Sequence, residues 1–216
     1  MNREIRLYVV FCSIFCTIII TGNLIFQKFV TLHIVSYDIE VSVGVLLYPI
    51  TFLISDLVTE FYGQGKAKFM VNIAVLCSLI VLVLIGISDY LSATSWSKID
   101  DKLFHTVFNS YGIAAVASII ANYLGQICDI TVYAYFKKLT NGKHLWLRNN
   151  LSTILGQLID SVTVVTILCF FVVIPWSQFS IVIYSSFLFK FLAALADTPF
   201  CYLGHYLMSK KWEISK

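Results

Sequence analysis

The chain has 216 residues, of which 59% are hydrophobic, 15% aromatic and only 12% charged, with a formal net charge of +3. Ordinary soluble domains carry about 25% charged residues, and a fold of this length cannot hide so much apolar surface, so the composition excludes a soluble globular domain and defines a polytopic membrane protein. The small positive excess is spread over the segments between apolar runs and points to no nucleic-acid partner.

A spanning helix needs about 20 largely apolar residues. Taken in chain order, six runs meet that requirement, at 7–26, 41–60, 69–88, 111–136, 150–174 and 179–207. They predict an all-α helical bundle, a single transmembrane domain over residues 1–216, with short connections. The first run belongs to MNREIRLYVVFCSIFCTIIITG; it exceeds a signal-peptide core and lacks a small-x-small cleavage site, so it is expected to be the first span rather than a leader. The second contains Pro49, which frees a backbone carbonyl; interrupted spans of this kind tend to line cavities, and a simple kink is as common. The sixth contains Lys190, Asp197 and Pro199.

Lysine and arginine are distributed unevenly between the two ends. Arg3, Arg6, Lys66, Lys68, Lys137, Lys138, Lys143, Arg148, Lys210, Lys211 and Lys216 fall on one side, and Lys28, Lys98 and Lys102 on the other. Positive residues concentrate on the cytoplasmic face, so both termini are expected there. The six cysteines all lie in apolar runs without a Cys-x-x-Cys pair, and the four histidines show no metal spacing; neither set predicts a metal or cofactor.

An ionisable side chain at the centre of a spanning helix costs about 2.5–3.5 kcal/mol on insertion scales. Here four of the six runs carry such groups. Asp56 and Glu60 lie in the second, Asn122, Gln126 and Asp129 in the fourth, Gln157 and Asp160 in the fifth behind Arg148, Asn149 and Asn150, and Lys190 and Asp197 in the sixth. Steps of three, four and seven residues keep each set on one helix face. Polar stripes on lipid-facing surfaces would be prohibitive, so the four are expected to converge on a shared interior and to form a substrate-binding site. The same residues also admit structural roles: an ion pair of Lys190 with Asp197, or of Arg148 with a carboxylate, and glutamines as interhelical ties.

Leu-Gly-Gln-x-x-Asp occurs twice, as LGQICD at 124–129 and LGQLID at 155–160. The two runs that carry it are consecutive and antiparallel, which suggests an inverted internal repeat. The spacing predicts Asp129 and Asp160 at similar depth and facing each other, with Gly125 and Gly156 permitting close backbone approach. Carboxylates that accept paired N–H bonds and carboxamides that both donate and accept suit a neutral or cationic planar ligand rich in N–H groups. Tyr48, Phe52, Tyr123, Tyr133, Tyr135 and Trp146 are candidates to stack on it.

YPITFLISDLVTEFYG (48–63), ANYLGQICDITVYAYFKKLT (121–140), LWLRNNLSTILGQLIDSV (145–162) and LFKFLAALADTPFCYLGH (188–205) resemble the signature segments of the queuosine precursor transporter family. The resemblance implies a six-span inner-membrane importer of 7-deazaguanines, with no enzymatic activity. The implied substrates are 7-cyano-7-deazaguanine, 7-aminomethyl-7-deazaguanine and queuine. In such a carrier Asp129 or Asp160 would hold the purine edge, with Gln126 and Gln157 reading the carbonyl and ring nitrogens. Arg148, Asn149 and Asn150 would form a cytoplasmic gate or orient the carboxylates, and Asp56 or Glu60 could couple protons. Partners are then the bilayer, the small-molecule substrate and, as a possibility, a second copy in a homodimer. The first run and the 27–40 segment carry little of the signature and no assigned role. The alternative is a substrate-binding membrane subunit of an ATP-driven vitamin uptake complex; an intramembrane aspartyl protease is disfavoured because its Gly-x-Gly-Asp segment is missing.

Overall fold

A computed structural model describes residues 3–26, 28–34, 37–108 and 112–211. The helices are α1 (Arg3–Ile25), α2 (Tyr48–Tyr62), α3 (Gln64–Tyr90), the short α4 (Asp101–Phe108), α5 (Gly112–Leu139), α6 (Leu145–Phe170) and α7 (Phe179–Tyr206). Among the described residues six helical segments are long and apolar enough to cross a membrane, each of the six containing one of these helices other than α4. The bundle is inside out relative to a soluble protein. The outer face of α3 presents Phe69, Leu76, Ile80, Val83, Leu84 and Ile87, and that of α7 presents Ile181, Leu188, Leu192 and Leu195, while Asp56, Glu60, Gln126, Asp129, Arg148, Gln157, Asp160 and Lys190 are buried. In lipid this costs nothing at the surface, and the polar groups find one another inside.

Two features were not legible in the apolar runs. Residues Phe29–Ile34 and Tyr37–Ser42 form an antiparallel hairpin, β1 and β2, with Phe29 opposite Ser42 and Ile34 opposite Tyr37. The chain then enters the second span through a 3₁₀ turn, Val43–Leu47, capped by the Ser42 hydroxyl on the Gly44 N–H at 3.2 Å, and only afterwards becomes α-helical. Pro49 therefore sits in the first turn of α2, where a missing N–H breaks no bond, and not at a kink in mid-helix. The span is interrupted all the same, and the break borders a cavity. Gly44 is needed there: a Cβ on it would lie 2.3 Å from the Gly22 carbonyl oxygen of α1.

α6 begins five residues earlier than the expected span. His144 adopts a left-handed backbone (φ 56°), and Arg148 turns back to donate to the carbonyls of Gly142 at 2.8 Å and Lys143 at 3.3 Å. The charge that argued against helix in the membrane is satisfied locally, so the helix can include it.

The most extensive helix contact is α5 against α6. A Cβ built on Gly125 would lie 2.8 Å from the Gly156 carbonyl oxygen, and one on Gly156 would lie 2.7 Å from the Gly125 carbonyl oxygen. The reciprocity extends one turn further: Gly125 abuts Asp160 and Gly156 abuts Asp129. The two copies of Leu-Gly-Gln-x-x-Asp thus form a locally two-fold crossing in which each aspartate faces the other helix's glycine. Because the obstacle is backbone, Gly125→Ala and Gly156→Ala are each expected to destabilise by about 1–3 kcal/mol or more. Gly86→Ala, which meets nothing within 4 Å, should leave the melting temperature in detergent unchanged.

Candidate functional site

The interior polar groups occupy three levels along the bundle. The first is a cavity of about 280 Å³ in the half nearest the hairpin, lined by every spanning helix except α3. α2 contributes Tyr48 and Thr51, α5 contributes Ala114, Ser118 and Asn122, and α6 contributes Asp160. Lys190 and Ser186 come from α7, and Ile19, Gly22 and Asn23 from α1. At its polar floor the Lys190 ammonium contacts Asp160 Oδ2 and donates to Ser161 Oγ at 3.1 Å. The Tyr48 hydroxyl donates to Asp160 Oδ1 at 3.1 Å, and Lys190 Nζ lies 4.9 Å from the centre of the Tyr48 ring. Asp160 is thus held by two donors from two other helices, and an aromatic face sits beside a neutralised ion pair.

The second level is fully buried. Asp129 accepts from Ser55 Oγ at 3.2 Å and Thr153 Oγ1 at 3.3 Å. Asp56 lies against Asp129 and is 1% exposed, and neither of its carboxylate oxygens has a hydrogen-bond partner. Gln126 donates to Thr51 Oγ1 at 3.2 Å, which links this level to the cavity, while its carbonyl oxygen and both polar atoms of Gln157 are unpartnered.

The third level closes the basic end. Arg148 Nη2 meets Glu60 Oε2 at 2.9 Å, Lys137 Nζ reaches the same oxygen at 3.3 Å, and His205 Nε2 lies 3.7 Å from Glu60 Oε1. The Tyr133 hydroxyl donates to Glu60 Oε2 at 3.2 Å, and the Arg148 guanidinium stacks 5.4 Å from the Tyr133 ring centre. Asn150 ties α6 to α7 by donating to Thr198 Oγ1 at 2.9 Å. This level therefore clamps α2, α5, α6 and α7 together.

Of the twelve residues singled out from the sequence, Asn122, Asp160 and Lys190 border the cavity. Asp56, Gln126, Asp129 and Gln157 are fully buried outside it, and Glu60, Arg148 and Asn150 belong to the clamp. Asn149 is buried near the start of α6, and Asp197 is half-buried with Oδ2 unpartnered. Two expectations about geometry need correction. Lys190 pairs with Asp160 of the neighbouring helix, not with Asp197 seven residues along its own. Asp129 and Asp160 are not face to face: one lies ten residues from the end of α5 (129 to 139) and the other fifteen from the start of α6 (145 to 160). With Gly125 packed on Gly156, each aspartate lies four residues past that crossing in opposite directions along the bundle, so at 1.5 Å per residue the two are staggered by about 12 Å. The contribution of α1 had no signal in the sequence beyond Asn23, because its other lining residues are apolar.

A bundle of spanning helices around a largely apolar cavity with a few convergent polar groups is the architecture of a small-molecule membrane transporter. The chain belongs to the family described as "Putative vitamin uptake transporter", whose model matches residues 42–204, from the cap of the 3₁₀ turn through most of α7. It is 26% identical over 167 residues to the "Probable queuosine precursor transporter" of Bacillus subtilis (strain 168), an alignment that covers 77% of this chain and 72% of that protein. No solved structure matches the chain.

Proposed function

We propose that the chain is a secondary transporter that imports a queuosine precursor, a 7-deazaguanine such as the 7-cyano or 7-aminomethyl derivative or queuine, across the inner membrane. Both termini would be cytoplasmic, following the excess of Lys and Arg at the clamp end. The cavity then faces the outer side, and the clamp forms its cytoplasmic floor. The observation that carries the reading is the composition of the cavity. Its volume lies near the lower end of the roughly 300–1,000 Å³ typical of small-molecule sites, which suits a two-ring heterocycle. Asp160 accepts from N–H donors, Asn122 both donates and accepts, Lys190 offers a cation to a carbonyl or nitrile, and Tyr48 offers a ring face. The family and the name of the Bacillus subtilis protein support the same choice.

The test is uptake of labelled 7-deazaguanines by cells unable to make them, followed by reconstitution of the purified chain alone in liposomes. Saturable uptake in both, competed by unlabelled 7-deazaguanines but not by guanosine, is expected. Uptake that requires a copurifying ATPase would instead assign the chain to an ATP-driven complex, and absence of uptake in both settings would remove the substrate assignment.

A further inference from the structure

We infer that the Asp56–Asp129 pair is a binding site for one monovalent cation, H⁺ or Na⁺, that travels with the substrate. The inference rests on the transporter reading above and adds its energy source. Asp56 and Asp129 lie side by side, 1% and 0% exposed. Asp129 accepts from the Ser55 and Thr153 hydroxyls, but no N–H or O–H of the described residues donates to either oxygen of Asp56, whose neighbour is the Asp129 carboxylate. Two neighbouring carboxylates cannot hydrogen-bond each other without a proton, and neither can be left bare in a dry interior.

The surrounding charges do not supply the missing cation. The charged and titratable groups around the pair are Glu60 on α2, Tyr133 and Cys128 on α5, Arg148 on α6 and Cys201 on α7. Arg148 and Lys137 are both directed at Glu60, and Lys190 at Asp160. Among the described residues no cation lies within ion-pair distance of Asp56 or Asp129. Glu60 thus takes Arg148 and Lys137, with His205 Nε2 3.7 Å from its other oxygen, while the two aspartates share no such partner among the described residues. The donor set fits the inferred occupant: a proton would bridge the two carboxylates, and Na⁺ would take carboxylate and hydroxyl oxygens together. Among the described residues no third acid, His or Cys joins the pair to make a divalent-metal group.

The position fits coupling. Thr51 lines the cavity and accepts from Gln126, and Ser55, one turn along α2, donates to Asp129. A rotation or slide of α2 would thus be felt at the substrate and at the cation together. In the balanced cycle one cation enters with one substrate from the outer side and both leave at the clamp end; no bond of the substrate is made or broken.

Infrared difference spectra of the purified wild-type chain test the site without any substrate. At neutral pH in sodium-free buffer the carbonyl stretch of a protonated carboxylic acid is expected. It should be lost in Asp56→Asn/Asp129→Asn, a substitution that preserves side-chain shape. If Na⁺ is the occupant, adding Na⁺ but not choline at constant pH converts the band to carboxylate; if H⁺ is, Na⁺ has no effect. A folded wild-type protein with neither the band nor a Na⁺ response, or a double variant with the same band, overturns the inference. In liposomes, an imposed inward H⁺ or Na⁺ gradient should raise internal labelled 7-deazaguanine at least tenfold above the no-gradient level, and Asp56→Asn should abolish that rise. Wild-type protein that equilibrates the substrate but never concentrates it under either gradient overturns the coupling while leaving the transporter reading intact. If no 7-deazaguanine crosses at all, the infrared result alone decides for or against the site.

Discussion

In cells that depend on uptake, Lys190→Met and Asp160→Asn are each expected to abolish accumulation of labelled 7-deazaguanine, and the two together to restore the stability of the protein but not its transport. The reason lies in the different costs of breaking a buried ion pair and of removing it. Lys190 and Asp160 are 5% and 2% exposed. Lys190→Met leaves the Asp160 carboxylate with the Tyr48 hydroxyl, donating at 3.1 Å. Asp160→Asn leaves an ammonium supported by Ser161 and the Tyr48 ring. Removing one partner of a buried pair typically destabilises by about 3–5 kcal/mol, whereas replacing both with neutral groups of similar size is often close to neutral. The double variant therefore separates structure from function. Its melting temperature in detergent should return to within a few degrees of wild type, while its cavity lacks both the acceptor and the cation proposed to bind the substrate. Wild-type uptake in either single variant would place the substrate elsewhere; a double variant as unstable as the singles would mean that the pair does not lie in one shared environment.

Much of this arrangement could be read from residue spacing, and the parts that could not have identifiable physical causes. On α2, residues 48, 51, 55, 56, 59 and 60 form one stripe, and on α5 residues 118, 122, 126, 129 and 133 form another; helical periodicity alone sends both stripes inward. The glycine pair was also visible, since a repeated small residue on consecutive antiparallel spans is a packing signal. What spacing could not supply was the register between helices. Depth counted from expected span ends placed Asp129 and Asp160 at similar depth, but the register is set where Gly125 packs on Gly156, and the two aspartates lie past that crossing in opposite directions. That register puts Asp160 at the cavity and leaves Asp129 fully buried outside it. Lys190 illustrates the same limit: Asp197 lies on its own helix, but the α6–α7 packing brings Asp160 into reach. The hairpin at 29–42 was hidden because a short two-stranded element of mixed polarity shows no sustained apolar run. The role of α1 was hidden because Ile18, Ile19 and Gly22 look the same facing a cavity as facing lipid.

At the clamp, the expected order of destabilisation is Arg148→Met, then Arg148→Lys, then Lys137→Met, with the first costing about 3–5 kcal/mol and the last under about 1 kcal/mol. Arg148 is 1% exposed and performs three tasks at once: it meets Glu60 at 2.9 Å, donates to the carbonyls of Gly142 and Lys143, and stacks on Tyr133. Methionine abandons all three and leaves Glu60 and two carbonyls short of donors. Lysine keeps the charge, but a single ammonium cannot span the carboxylate and the turn as the planar fork does. Lys137 approaches the same carboxylate oxygen at 3.3 Å, yet its side chain is 28% exposed, so water replaces much of what its removal takes away. Thermal unfolding in detergent measures the order, and a Lys137→Met loss equal to that of Arg148→Met would contradict the geometry. The same contacts bear on the transport cycle. Because Glu60, Tyr133, Arg148 and His205 come from α2, α5, α6 and α7, the clamp must part before a substrate in the cavity can leave at the basic end. A clamp weakened by Arg148→Lys should therefore expose a cysteine placed at Thr59 to a membrane-impermeant thiol reagent added from the basic side faster than in the same cysteine variant carrying Arg148.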